Sequence, residues 1–152
     1  MARGNPQSTA QIAGHPLHPM LIPFPVAFLV STFVCDVIFW STRNPAWSTA
    51  ALYLLGAALV MAALAAVAGL IDFLGDERIR ALSAVWHHMI GNVAAVLLSL
   101  WNWYRRYEGG AEAVLPTGLL ISLVVVLILV YTGWRGWEMV YRHRVAVMNE
   151  GA

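Results

Sequence analysis

Four long stretches of almost unbroken apolar residues dominate the chain: Met20–Trp40, Trp47–Ile71, Val85–Tyr104 and Val114–Trp134. Each meets the length of about 20 residues that a helix needs to cross the hydrocarbon core of a bilayer. Asp36 is the only acid or base inside them, apart from any protonated histidine. Neither the alternation of a half-buried strand nor the polar face of a soluble amphipathic helix is visible, so the pattern predicts membrane-spanning helices. The connectors Ser41–Ala46, Asp72–Ala84 and Arg105–Ala113 are short. Short connectors make successive helices antiparallel neighbours. The predicted fold is therefore all-α, an integral membrane four-helix antiparallel bundle filling residues 1–152 as one domain.

Composition agrees with this. Hydrophobic residues make up 60% of the chain and charged residues 11%, where a soluble domain carries roughly 25% charged residues. The net charge of +1 excludes electrostatic capture of nucleic acid, which needs a basic surface. A single cysteine, Cys35, excludes an intrachain disulfide and a cysteine-ligated zinc or iron–sulfur site. The first apolar run lacks the basic flank and small-residue cleavage site of a signal peptide. No catalytic motif is present.

All seven tryptophans fall near predicted span ends, as an interfacial aromatic belt requires. Arg3, Arg78, Arg80, Arg135, Arg142 and Arg144 lie on one side, against Arg43, Arg105 and Arg106 on the other. The positive-inside rule then places both termini in the cytoplasm. Gly56, Ala62, Ala66 and Gly69 are small residues suited to close helix packing. The fourth span is aliphatic and β-branched over Leu119–Val130, with little polar content, and is expected to face lipid or core without pathway chemistry.

The candidate chemistry is histidine. His15 and His18 precede the first span, His87 and His88 open the third, and His143 follows the fourth. With four antiparallel spans these stations share one membrane face, joined by Asp72, Arg78, Arg80, Arg135 and Glu138. In Gly14-His15-Pro16-Leu17-His18-Pro19 each proline fixes its own φ and extends its predecessor. As polyproline II the segment would hold His15 and His18 on one face about 9 Å apart. Pro23 and Pro25 predict a kinked or delayed start to the first helix. His87 and His88 point about 100° apart on a helix. His88 shares a face with Asn92, so His88 is expected inward and His87 outward. At the far end, Asp36 is expected to pair with Arg43 or reach Asn102. The polar residues between the two ends are too few to suggest a pump or transporter.

Three readings follow. One is haem b held by two imidazoles from different helices, with Arg78, Arg80 or Arg135 on the propionates. One is a transition-metal site drawn from His15, His18, His88, His143 and Asp72. The third is a membrane scaffold or interaction protein without catalysis, whose histidines contact lipid or a partner. Beyond the bilayer, the partners expected are a redox protein or further copies of the chain.

The segment Gly14 to Pro25, GHPLHPMLIPFP, resembles the opening of the bacterial membrane-protein family named domain of unknown function 2231. Gly69-Leu70-Ile71-Asp72, His88-Met89-Ile90-Gly91-Asn92 and Gly133-Trp134-Arg135-Gly136-Trp137-Glu138 running into Tyr141-Arg142-His143 follow in the family's order. The resemblance covers about Gly14 to Val147. It implies a layout similar to small b-type cytochrome bundles. Relatives fused to Rieske iron–sulfur or cytochrome c domains imply electron transfer. It implies functional roles for His15, His18, Asp72, His88 and His143, and none for His87. Some members carry histidine where this chain has Pro23.

Overall fold

The computed structural model describes residues 4–148; Arg3, counted above in the charge balance, lies outside them. Four helices long and apolar enough to cross a membrane pack against one another, spanning Leu17–Thr42, Pro45–Gly75, Ser83–Val114 and Thr117–Arg142. A two-residue strand β1 (Gln11–Ile12) pairs antiparallel with β2 (His15–Pro16) ahead of the first helix. A five-residue turn of helix α1 (Leu17–Leu21) leads into α2 (Pro23–Thr42). Then come α3 (Pro45–Gly75), the short α4 (Glu77–Arg80), α5 (Ser83–Gly109) and α6 (Thr117–Trp137).

Local chemistry sets these boundaries. Pro23 and Pro25 have no N–H to donate, so α1 and α2 meet at Ile22 without the full ladder of helical bonds. Asn44 caps α3 by accepting the Ala46 N–H, with Pro45 in the first helical position. Asp76 caps α4 in the same way through Arg78. Gly110 breaks α5 at φ +59°, and a 3₁₀ turn, Gly110–Val114, carries the chain to α6. After Trp137 the helix widens into one π turn, Glu138–Arg142, with His143 as its cap.

The helices outrun the apolar windows. At 31 residues and 1.5 Å per residue, α3 is about 46 Å long, against a hydrocarbon core of about 30 Å. Hydropathy marks the part in lipid, and the helix continues beyond it. Asp72 therefore lies in the last turn of α3 rather than in a connector, and Arg106 lies inside α5.

The apolar centre is formed by Leu29, Leu55, Ala58, Ala95, Ile121 and Val125, one or two from each long helix. Phe28, Leu98, Trp103, Ile128 and Leu129 pack around it. Six of the seven tryptophans are exposed near helix ends, as an interfacial belt requires.

Candidate functional site: a histidine pair at one end, an ion pair at the other

His18 and His88 meet inside the bundle. Their ring centroids are 6.1 Å apart and their planes nearly perpendicular, at 81°. Each ring is fixed by the same device on a neighbouring helix. His18 Nδ1 lies 2.7 Å from the Ala65 carbonyl of α3. His88 Nδ1 lies 2.9 Å from the Thr132 carbonyl of α6. A carbonyl only accepts, so each Nδ1 carries the proton and each neutral ring keeps its lone pair on Nε2. Four residues past each carbonyl stands a glycine, Gly69 or Gly136. A Cβ on Gly69 would come within 2.8 Å of the His18 ring, and one on Gly136 within 3.4 Å of the His88 ring. On both helices the imidazole occupies the space a side chain one turn on would need.

Asn92 and Thr132 support His88. Asn92 Nδ2 donates to the His88 carbonyl at 2.8 Å, and Thr132 Oγ1 donates to Asn92 Oδ1 at 3.3 Å. His87 points outward, exposed, with its ring 6.4 Å from that of Tyr131.

The remaining sequence candidates go elsewhere. His15 sits in β2, exposed, with Nδ1 2.9 Å from its near neighbour Ala13's carbonyl. The His-Pro segment is thus a strand followed by a helical turn, not polyproline II, and His15 and His18 are used differently. The β-bridge and the helical start claim the backbone that a free segment would leave extended. His143 ends the π turn, half-buried. The chain after it lies on residues 5–7, with Ala146 N–H on the Pro6 carbonyl at 2.9 Å. Asp72 accepts from Ser8 Oγ and from the N–H groups of Thr9 and Ala10. Arg78 pairs with Asp76, and Arg80 donates to the carbonyls of Phe73 and Leu74. Arg135 pairs with Glu138. Among the described residues no group of three or more His, Cys, Asp or Glu side chains is placed to hold a metal ion.

Sequence reasoning named Asp36 and Asn102 at the far end but missed Arg106 and Ser122, which complete this second polar centre. Asp36 does not pair with Arg43, which is exposed in the left-handed turn ending α2. Its carboxylate is gripped by both terminal nitrogens of Arg106, at 2.6 and 2.7 Å. Asp36 is 0% exposed and Arg106 2%. Ser122 Oγ donates to Asp36 at 2.7 Å, and Arg106 Nε donates to Asn102 Oδ1 at 3.1 Å. Asn102 Nδ2 in turn reaches the Gly118 carbonyl. The fourth span, for all its low polar content, supplies Ser122 here and Thr132 at the histidines. Ser99 Oγ, one turn inward from Asn102, is buried without a hydrogen-bond partner.

The signal for Arg106 was periodicity. Ser99, Asn102 and Arg106 recur at three- and four-residue steps, one helical face. An arginine just past an apolar window reads as a flanking charge unless that face is followed outward.

The family model described as "Predicted membrane protein (DUF2231)" matches residues 14–149. No curated protein and no solved structure matches the chain.

Proposed function

This chain belongs to the DUF2231 family of predicted membrane proteins, and for it we propose a haem-binding electron-transfer role, with His18 and His88 as the residues that would hold the group. The observation that carries this reading is the paired imidazoles. They come from separate helices, both lock Nδ1 on a main-chain carbonyl, and both keep Nε2 free. Such a backbone partner on the second nitrogen is the usual means of orienting a metal-ligating imidazole. The two rings lie 6.1 Å apart, centroid to centroid, so both could offer a nitrogen to one group held between their helices.

The donor set separates haem from a bare metal ion. A structural zinc site takes four protein ligands, and only two histidines converge here. A haem would ask the protein for few donors, and His18 and His88 would hold it from two separate helices, which suits electron carriage. When bound, haem supplies one-electron exchange at its iron. The chain's part is to hold both imidazoles neutral, oriented and inside the bundle. Arg78, Arg80 and Arg135 stand at this end, each engaged with protein acceptors, so propionate recognition by any of them requires exchange of those contacts.

The protein is multi-pass and in contact with the bilayer. The reading extends to a bacterial inner membrane with the histidine end cytoplasmic. Withdrawal of Arg106 into the buried ion pair leaves six arginines on the histidine side against two on the other, which strengthens the charge bias behind that orientation. A redox protein at that face is the partner this role requires.

Haem content of the purified, detergent-solubilised chain tests the reading, with expression under haem and metal supply. The expected result is about one haem per chain, lost in His18→Ala and in His88→Ala and retained in His87→Ala. Wild-type protein without haem overturns it. Stoichiometric metal by elemental analysis would then favour a bare ion, and neither would favour a scaffold.

A further inference from the structure

Asp72 gathers three short hydrogen bonds on one oxygen, with Thr9 Oγ1 a longer fourth at 3.5 Å. Its Oδ1 accepts from Ser8 Oγ at 2.8 Å, Thr9 N at 2.7 Å and Ala10 N at 2.8 Å. Ser8 and Ala10 are buried beneath the strap they belong to. The Ala10 carbonyl then accepts from Leu17 N, the first residue of α1, at 2.8 Å. Between them the chain turns through the β1–β2 bridge, with Ala13 and Gly14 at positive φ. One residue after Leu17, His18 returns to α3 and bonds the Ala65 carbonyl.

The strap therefore touches α3 along one face: Ala65 and Gly69 at His18, and Asp72 at Ser8–Ala10. The spacing of i, i+4 and i+7 aligns these three positions. Asp72 fixes Ala10, Ala10 closes the loop onto Leu17, and Leu17 fixes the start of the turn that carries His18.

We propose that Asp72 is a positioning residue for the His18 imidazole, acting through Ala10 and Leu17 rather than by touching the ring. This assignment rests on the cofactor reading only for its purpose; the hydrogen-bond relay stands apart from it. A carboxylate suits the task because it accepts only and its charge strengthens each bond. Removing it leaves the Ala10 N–H without its acceptor, while Ser8 Oγ can still turn to the Ala10 carbonyl at 3.2 Å, and lets the Ala10–Leu17 closure slide along α3. His18 then loses its hold on Ala65, and Nδ1 no longer keeps the proton.

The test uses the full chain in detergent with ¹⁵N-labelled histidine. Wild type is expected to show His18 and His88 each as a single neutral tautomer protonated on Nδ1. In Asp72→Ala the His18 signals move to a mixture of tautomers while those of His88 stay. Asp72→Asn keeps an oxygen acceptor and should restore most of the wild-type His18 signal. Ser8→Ala removes one of the three donors and shifts His18 in the same direction by less, which keeps the test alive if Asp72→Ala fails to fold. A second readout is haem affinity, expected to fall about 10-fold in Asp72→Ala, the low end for loss of a supporting group. Unchanged His18 signals in Asp72→Ala and Ser8→Ala overturn the proposal. A wild type without haem overturns the cofactor reading instead, and the tautomer measurement still decides the role of Asp72.

Discussion

A histidine in a bilayer must satisfy its ring N–H, and the two inward histidines do so on main-chain carbonyls already engaged in helices. One turn on from each of these carbonyls stands a glycine, and the clearance at Gly69 and Gly136 differs. A methyl group at position 69 meets the His18 ring at 2.8 Å, closer than real contacts allow, whereas at position 136 it meets the His88 ring at 3.4 Å. Gly69→Ala is expected to break the His18–Ala65 hydrogen bond, costing about 0.5–1.5 kcal/mol for that bond, and to abolish cofactor retention. Gly136→Ala is expected to be tolerated with a small shift of His88. Thermal unfolding and bound haem of the two variants check the order, and equal effects would show that ring clearance does not govern the site. At this scale the sequence was informative about His88, because helical spacing to Asn92 selects its face. It was silent on which carbonyls receive the rings. A main-chain acceptor leaves no residue-type signature, and a glycine in an apolar span reads first as a packing residue.

At the scale of elements, the Asp36–Arg106 pair joins α2 to α5, and Ser122 and the Gly118 carbonyl bring in α6. Three helices are pinned at the end remote from the histidines. Burying both charges offers little net stability, but removing one strands the other in a low dielectric and costs about 3–5 kcal/mol. Asp36→Leu and Arg106→Met are each expected to destabilise the bundle by that order, while the double variant recovers most of the loss. Denaturation of the three proteins in mixed micelles measures the coupling, and additive losses would refute it. Spans, antiparallel order and belt were legible in the sequence because they depend on averages over many residues. The ion pair was not, because Ser122 and Arg106 are single polar positions whose averages are dominated by their neighbours. Its partners lie 70 and 86 residues from Asp36, and helix length alone decides that they meet.

For the molecule as a whole, two polar ends flank an apolar centre, and the histidine end is closed by the strap and the segment after His143. Asn5 and Gln7 donate to the Val147 carbonyl, and Asp76 accepts from Gln7 N–H at 3.3 Å. Asp76 also grips Arg78 at 2.7 Å, and Arg78 donates to the Gly4 carbonyl. The side-chain hydrogen bond from Arg78 is the largest influence on this carboxyl. Helped by the Arg78 backbone N–H and charge, and opposed by partial burial, it pushes the Asp76 pKa from 3.8 down to about 2. The sign follows from that depression. Above the unfolded value the carboxylate contributes its full share to holding the strap. As the pH falls from about 4 to about 2, the unfolded form takes up a proton first and the contribution is lost. Measured against the intrinsic rate at each pH, amide exchange of Asn5 and Gln7 is therefore expected to lose protection through that window in wild type. In Asp76→Asn, which has no carboxylate to titrate, exchange should be faster at neutral pH and flatter across the window. Asp72 holds residues 8–10 by a separate set of bonds, so their exchange in Asp76→Asn should stay closer to wild type. Loss of protection at Asn5 and Gln7 at the same pH in both proteins would assign the acid sensitivity to another carboxyl and remove Asp76 from the closure of this end.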